Sequence, residues 1–253
     1  MLKRLICVTA LTCAGTIAAP AWAGPIHFDL VQAMRDEAYT LTGAKSGATF
    51  PSGGETAAET ASLTNGGISV TFSAGNLDPN KKIVTNPPYV YLDKDPDDTD
   101  LDYGGSGLGV CQTWTTGCAG EDEISIDNTE LLFANFNQVV TLTDLLFSPE
   151  NNTPLITEGD AESLVAVSAD GGGSWGGYLQ NTGYTGTSFV FAVQSTALGF
   201  FEDAAGLGGE NGGKEFYLRE FKAKAVPEPG SIALFGTGLL VFFLRRLQRP
   251  NAA

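Results

Sequence analysis

Between residues 68 and 72, Ile, Val and Phe alternate with Ser and Thr, the two-residue period of a strand with one face buried. Similar runs predict strands at residues 89–92, 124–127, 130–136, 139–147, 163–167, 175–179, 188–193 and 216–223. Asn137-Gln138, between two of these runs, predicts a hairpin turn. Glycine-rich stretches at 171–173 and 206–213 separate later strands and supply turns that need positive φ. Near the start, Phe28-Asp29-Leu30-Val31 reads as an entering strand and residues 32–39 as a short helical turn. Residues 42–65 read as loop and weak edge strand. Many short strands without alternating helices predict an all-β fold, an antiparallel, jelly-roll-like β-sandwich. No fixed-period repeat is present, which argues against a solenoid.

Two segments depart from this pattern, one at each end. Residues 1–23 have a basic start at Lys3 and Arg4, an apolar stretch, and a small-x-small ending at Ala21-Trp22-Ala23. That order predicts a secretory signal peptide cleaved after Ala23, and so the secretory translocon and signal peptidase as partners. At the other end, Val226-Pro227-Glu228-Pro229 precedes an apolar run at 231–244 and then Arg245, Arg246 and Arg249. The prolines remove backbone donors and fix φ, which ends any arriving strand and leaves an extended peptide. The apolar run predicts a transmembrane helix that, at ~1.5 Å per residue, reaches only part of a ~30 Å hydrocarbon core. The arginines behind it hold that end in the cytoplasm and place the rest of the chain across the membrane. Three parts follow: a signal peptide at 1–23, a β-sandwich body at 24–225 and a sorting and anchor segment at 226–249.

A Pro-Glu-Pro motif, a short apolar helix and an arginine cluster in this order resemble the PEP-CTERM sorting domain. The resemblance implies recognition by an exosortase in the inner membrane, processing near the motif, and delivery to the cell surface or the extracellular matrix. A second likeness lies within 107–147. Gly107-Leu108-Gly109-Val110-Cys111, Cys118, residues 122–127, Glu130-Leu131-Leu132 and Phe136 resemble a recurrent β-sandwich body of PEP-CTERM proteins. It implies that the strand after Glu130 enters the core.

Removing the two end segments sharpens the charge. Residues 24–226 carry 9 of the 14 basic and 28 of the 29 acidic side chains, a net −19. Such a surface repels nucleic acid and attracts cations. Of four cysteines, Cys7 and Cys13 fall in the signal segment, leaving Cys111 and Cys118. In an oxidising compartment these predict one local disulfide closing a loop through Trp114 and Gly117.

Asp93, Asp95, Asp97, Asp98, Asp100 and Asp102 crowd one segment. Oxygen ligands at alternate positions suit Ca²⁺, which takes about six to eight of them, but the EF-hand glycine and terminal glutamate are missing. A solvated acidic loop and a calcium loop both stand as readings. A second acidic group, Glu121, Asp122, Glu123, Asp127 and Glu130, flanks strand starts, where it meets either a cation or solvent.

The single histidine, His27, falls in a segment expected to be a mobile arm, which disfavours triad chemistry. Trp114, Trp175, Tyr178 and Tyr184 offer either a platform for sugar rings or plugs for the end of a sandwich core. The expectation is therefore a non-enzymatic structural or adhesive component of an exopolysaccharide-rich surface. A secreted carbohydrate-binding module is the alternative, ahead of a carboxylate-based glycoside hydrolase.

Overall fold

The computed structural model describes residues 24–45, 55–77, 83–84, 88–93, 107–111, 124–125, 130–148, 165–177, 183–193, 215–227 and 238. Pro25–Ala225 form one compact unit, the body. In chain order its elements are β1 (Ile26–Asp29), α1 (Leu30–Arg35), β2 (Thr40–Thr42), β3 (Glu55–Ala58), β4 (Thr60–Asn65), β5 (Ile68–Leu77) and β6 (Ile83–Val84). There follow β7 (Tyr89–Asp93), β8 (Gly107–Cys111), β9 (Ile124–Ser125), β10 (Glu130–Ser148), β11 (Val165–Ser168), β12 (Gly176–Gly177), β13 (Tyr184–Val193) and β14 (Glu215–Ala225).

The antiparallel all-β class is as the alternation predicts, but the strands join in one large, nearly barrel-shaped sheet. The reason is β10. Along one edge it pairs with β13. Along the other, residues 130–136 pair with β5 and residues 140–148 with β14. One branch then continues through β5 to β4 and β2, the other through β14 to β8, β7 and β3.

The expected hairpin at Asn137-Gln138 is therefore corrected: β10 runs straight through it. Each half of the strand finds a different partner, and the surplus residues are absorbed where the register with β13 shifts between Asn135 and Val140. The Asn137 side chain accepts the Ser69 backbone N–H at 3.0 Å, so its turn-forming amide is spent on sheet pairing. A further shift against β14 follows Thr143, where Asp144 takes φ +50° and its carboxylate meets Lys222 at 3.2 Å.

Alternation decides what faces inward. Val70 and Phe72 of β5, Leu132, Ala134 and Phe136 of β10, Phe189 and Phe191 of β13, and Phe221 of β14 share one core. Phe221 is its hub, touching Phe72 at 6.4 Å and Phe136 at 5.9 Å edge to face. Leu132 and its neighbours place the strand after Glu130 in the core, as the second likeness implies.

The early segment folds as strand then helix. Asp29 caps α1 by accepting the Gln32 N–H at 2.8 Å, and Leu30, Val31, Ala33 and Met34 are buried. After the helix, Glu37 donates to Met34 and Ala38 to Ala33, with Glu37 at φ +53°. That is a Schellman ending with a glutamate where glycine is usual. Tyr39 packs beneath; burial, reinforced by Asp29, raises its phenol pKa well above the ordinary value.

The segment at 42–65, expected to be loop and weak edge strand, contains the strand β3 at the end of the sheet order and a second strand, β4. In β4 only Ala61 and Leu63 point inward, an alternation too weakly apolar to stand out among threonines. Among the described residues no helix is long and apolar enough to cross a membrane. The expected flanking helices lie outside the described residues, except that Gly238 is helical.

Candidate functional site

The chain enters and leaves the body on neighbouring strands. β14 pairs along one edge with β10 as far as Ala225 opposite Val140. Its other edge meets β9, β8 and β1 in turn. In the β1 ladder Ile26 lies opposite Ala223 and Asp29 opposite Glu220, so the first residue of β1 sits beside the end of β14. The first and last strands of the body are thus neighbours where Ile26 meets Ala223.

This pairing corrects the expectation for His27. It is no mobile arm: it lies opposite Lys222 in the ladder, its ring Nε2 bonds to the Glu220 carboxylate, and its carbonyl accepts from Asn65 at 2.9 Å. β1 is held on one side by β14 and touches the β4–β5 turn on the other.

Val226 and Pro227 follow the last paired residue of β14 without a break. Glu228, Pro229, Arg245, Arg246 and Arg249 lie outside the described residues, as do Ala21 and Ala23. A family profile described as the PEP-CTERM protein-sorting motif matches residues 225–247. The chain thus carries a PEP-CTERM sorting motif at residues 225–247. The motif marks the chain as exported and sorted by exosortase. No curated protein and no solved structure matches it. The matched segment begins at Ala225, still hydrogen-bonded opposite Val140, so signal and sheet overlap with no linker between them.

A second arrangement surrounds Trp175. β11 ends at Ser168, and the glycine-rich turn that follows is tied around Asp170. Ser168 Oγ donates to Asp170 Oδ1 at 2.7 Å, and the Ser174 N–H and hydroxyl donate to the same carboxylate at 2.8 and 2.6 Å. Gly172 N–H closes on Ser168 Oγ at 2.8 Å, and Gly171 N–H reaches the Ser188 carbonyl of β13. The Ser174 bonds first, then Ser168, hold the Asp170 carboxyl far below the usual carboxylate range.

The turn delivers Trp175, half-buried, onto Leu131, Phe133, Val190 and Ala192 on the outward side of β10 and β13. Of the expected aromatic group, Tyr184 packs against the main core and donates to the Gly177 carbonyl at 3.1 Å. Trp114 and Tyr178 lie outside the described residues. Sequence reasoning passed over Ser168, Asp170 and Ser174. Their signal was present: an Asp before a glycine run, with serines two before and four after, is Asx-turn chemistry.

The acidic segment is described only at Asp93, which ends β7 opposite Gly107 and Glu55. Asp95, Asp97, Asp98, Asp100 and Asp102 lie outside the described residues. Among the described residues no cluster of metal-binding side chains occurs. In the second acidic group, Glu130 is buried at the start of β10 opposite Asn76 rather than facing solvent, while Glu121, Asp122, Glu123 and Asp127 lie outside the described residues. Cys111, fully buried at the end of β8, is disulfide-bonded, and its expected partner Cys118 lies outside the described residues.

Proposed function

We propose that this protein is a non-enzymatic structural or adhesive component of an exopolysaccharide-rich cell surface, held in the inner membrane by its C-terminal segment until exosortase processes it. The observation that carries the reading is the match of the sorting motif from Ala225, the last residue of β14, because a signal joined directly to the final strand delivers the body as one piece. An acidic surface suits a hydrated matrix, where self-repulsion keeps the protein dispersed. A Cys111–Cys118 bridge fits an oxidising destination. His27, the residue that triad chemistry requires, is tied to Glu220 on an exposed strand pair.

Intact-mass analysis of the native protein, combined with cell fractionation, tests this. The expected product runs from Gly24 to near Pro229 and lies outside the inner membrane. A product retaining residues 230–253 in the inner membrane would replace sorting by permanent anchoring.

A second reading, a carbohydrate-binding module, is favoured by the rigid Asp170 turn that presents Trp175. Retention of the protein on native exopolysaccharide, lost in Trp175→Ala, is its signature.

A further inference from the structure

One outward face of the body is paved with small uncharged polar side chains. Cα partners in an antiparallel ladder point to the same side of the sheet. The register therefore places Thr40, Ser62, Thr71, Asn135 and Ser188 in a single row across β2, β4, β5, β10 and β13. Each is exposed or half-exposed. A second row, Thr42, Thr60 and Ser73, runs beside it and ends on Phe133 and Val190, where Trp175 packs. Thr64 and Ser69, beside Asn137, begin a third.

Pairing fixes many of these groups. Ser62 and Thr71 share a hydrogen bond at 2.9 Å, Thr64 and Ser69 one at 2.8 Å, and Ser188 donates to Asn135 Oδ1 at 2.7 Å. A hydroxyl has one donor and two acceptor sites, so each pair leaves capacity for an outside partner. Short side chains also lose little rotamer freedom when a ligand covers them.

Polarity alone is ordinary for the solvent face of an antiparallel sheet. Charge meets the first row only at its β13 end, where Asp170 lies opposite Ser188, and the scarcity of charge along the rest is not ordinary in a body with 9 basic and 28 acidic residues. We propose that this face docks a neutral, hydroxyl-rich polysaccharide lying across the strands. The proposal rests on the reading that the protein works in an exopolysaccharide matrix, and names the surface and the glycan class. Strands ~4.8 Å apart set neighbouring hydroxyls about one sugar ring apart, and five strands offer a row about 19 Å long. A polyanionic chain meets the repulsion of a net −19 body, whereas a neutral one meets only donors and acceptors. Trp175 borders the rows and adds an apolar ring face for a sugar. Many weak contacts along a repeating polymer then add up through multivalency.

Affinity electrophoresis of the exported protein in native gels containing dextran or hydroxyethyl cellulose, against gels containing alginate, tests the proposal. Retardation is expected in a neutral gel and not in alginate. Thr71→Lys and Ser62→Glu are expected to weaken it about tenfold, the loss of one or two hydrogen bonds, with thermal melting unchanged. Thr71→Ser is expected to retain it, and Thr64→Lys serves if either charged variant melts early.

No retardation of the wild type in either neutral gel overturns the proposal and leaves sorting, which is read from processing and location, untouched. Retardation that Trp175→Ala abolishes and Thr71→Lys spares assigns binding to the tryptophan alone and also overturns it. So does equal retardation in alginate, or a dimer that Thr71→Lys converts to monomer without glycan binding.

Discussion

Phe28 of β1 and Phe221 of β14 lie opposite each other in the ladder and stack with ring centroids 4.9 Å apart and planes inclined by 17°. Since Phe221 also meets Phe72 and Phe136, this pair fastens the first strand of the body to the last and both to the β5–β10 branch. Phe221→Ala is expected to cost about 3–5 kcal/mol in denaturant unfolding, the range for a fully buried aromatic. Phe28→Ala is expected to cost less than Phe221→Ala, because Phe28 has fewer of these ring neighbours. Equal costs would show that the hub is not Phe221.

Asp170 makes the turn before Trp175 pH-dependent in a definite direction. Its folded pKa lies below the ordinary carboxylate value, so its stabilisation is complete above that value and fades only as pH falls toward the lowered one. Asp170→Asn is expected to loosen the turn at neutral pH, read as faster proteolysis at residues 171–174 and a changed Trp175 emission. The difference from wild type should shrink in strong acid. A difference independent of pH would assign the effect to side-chain geometry rather than charge.

Glu37 occupies a left-handed position, φ +53°, at the end of α1. Glycine carries no Cβ penalty there. Glu37→Gly is therefore expected to raise stability by about 0.5–1 kcal/mol, visible as a higher midpoint in urea. Asp144, at φ +50°, is the contrasting case: Asp144→Gly relieves the same backbone strain but removes the partner of Lys222, so its net gain is expected to be smaller.

The overlap of sorting motif and β14 predicts a kinetic effect. With Ala225 still paired to Val140, the motif has no slack. A Gly-Ser spacer inserted after Ala225 is expected to speed conversion of precursor to processed protein in a pulse-chase experiment. An unchanged rate would mean that release of the strand end does not limit processing.

How far the chain could be read from its residues follows from what each strand buries. β5 was plain because Ile68, Val70 and Phe72 are large and alternate with small polar residues. β8 carried no alternation, because Gly107–Cys111 is buried at every position and a strand covered on both faces loses its period. The β4–β5 hairpin was hidden by the weak inward side of β4, although Gly66 and Gly67, both at positive φ, follow Asn65 as a tight turn requires. The sorting motif was legible because its chemistry is local, whereas the polar rows exist only once register brings β2, β4, β5, β10 and β13 side by side. In the Trp175 turn the glycines and the serines two before and four after Asp170 were all present in sequence, but that both serines bond one carboxylate shows only in the folded turn.

The position of β14 also has a mechanical meaning. A pull on the C-terminal end of the chain runs along β14, parallel to its ladders with β10 and β1. Those hydrogen bonds then bear the load together in shear instead of opening one after another. A tension drawn between the two chain ends works differently: Ile26 and Ala223 are adjacent and their strands antiparallel, so β1 would peel away bond by bond. The protein is thus built to resist being dragged by its tail, and its weak direction is the one in which both ends are pulled apart.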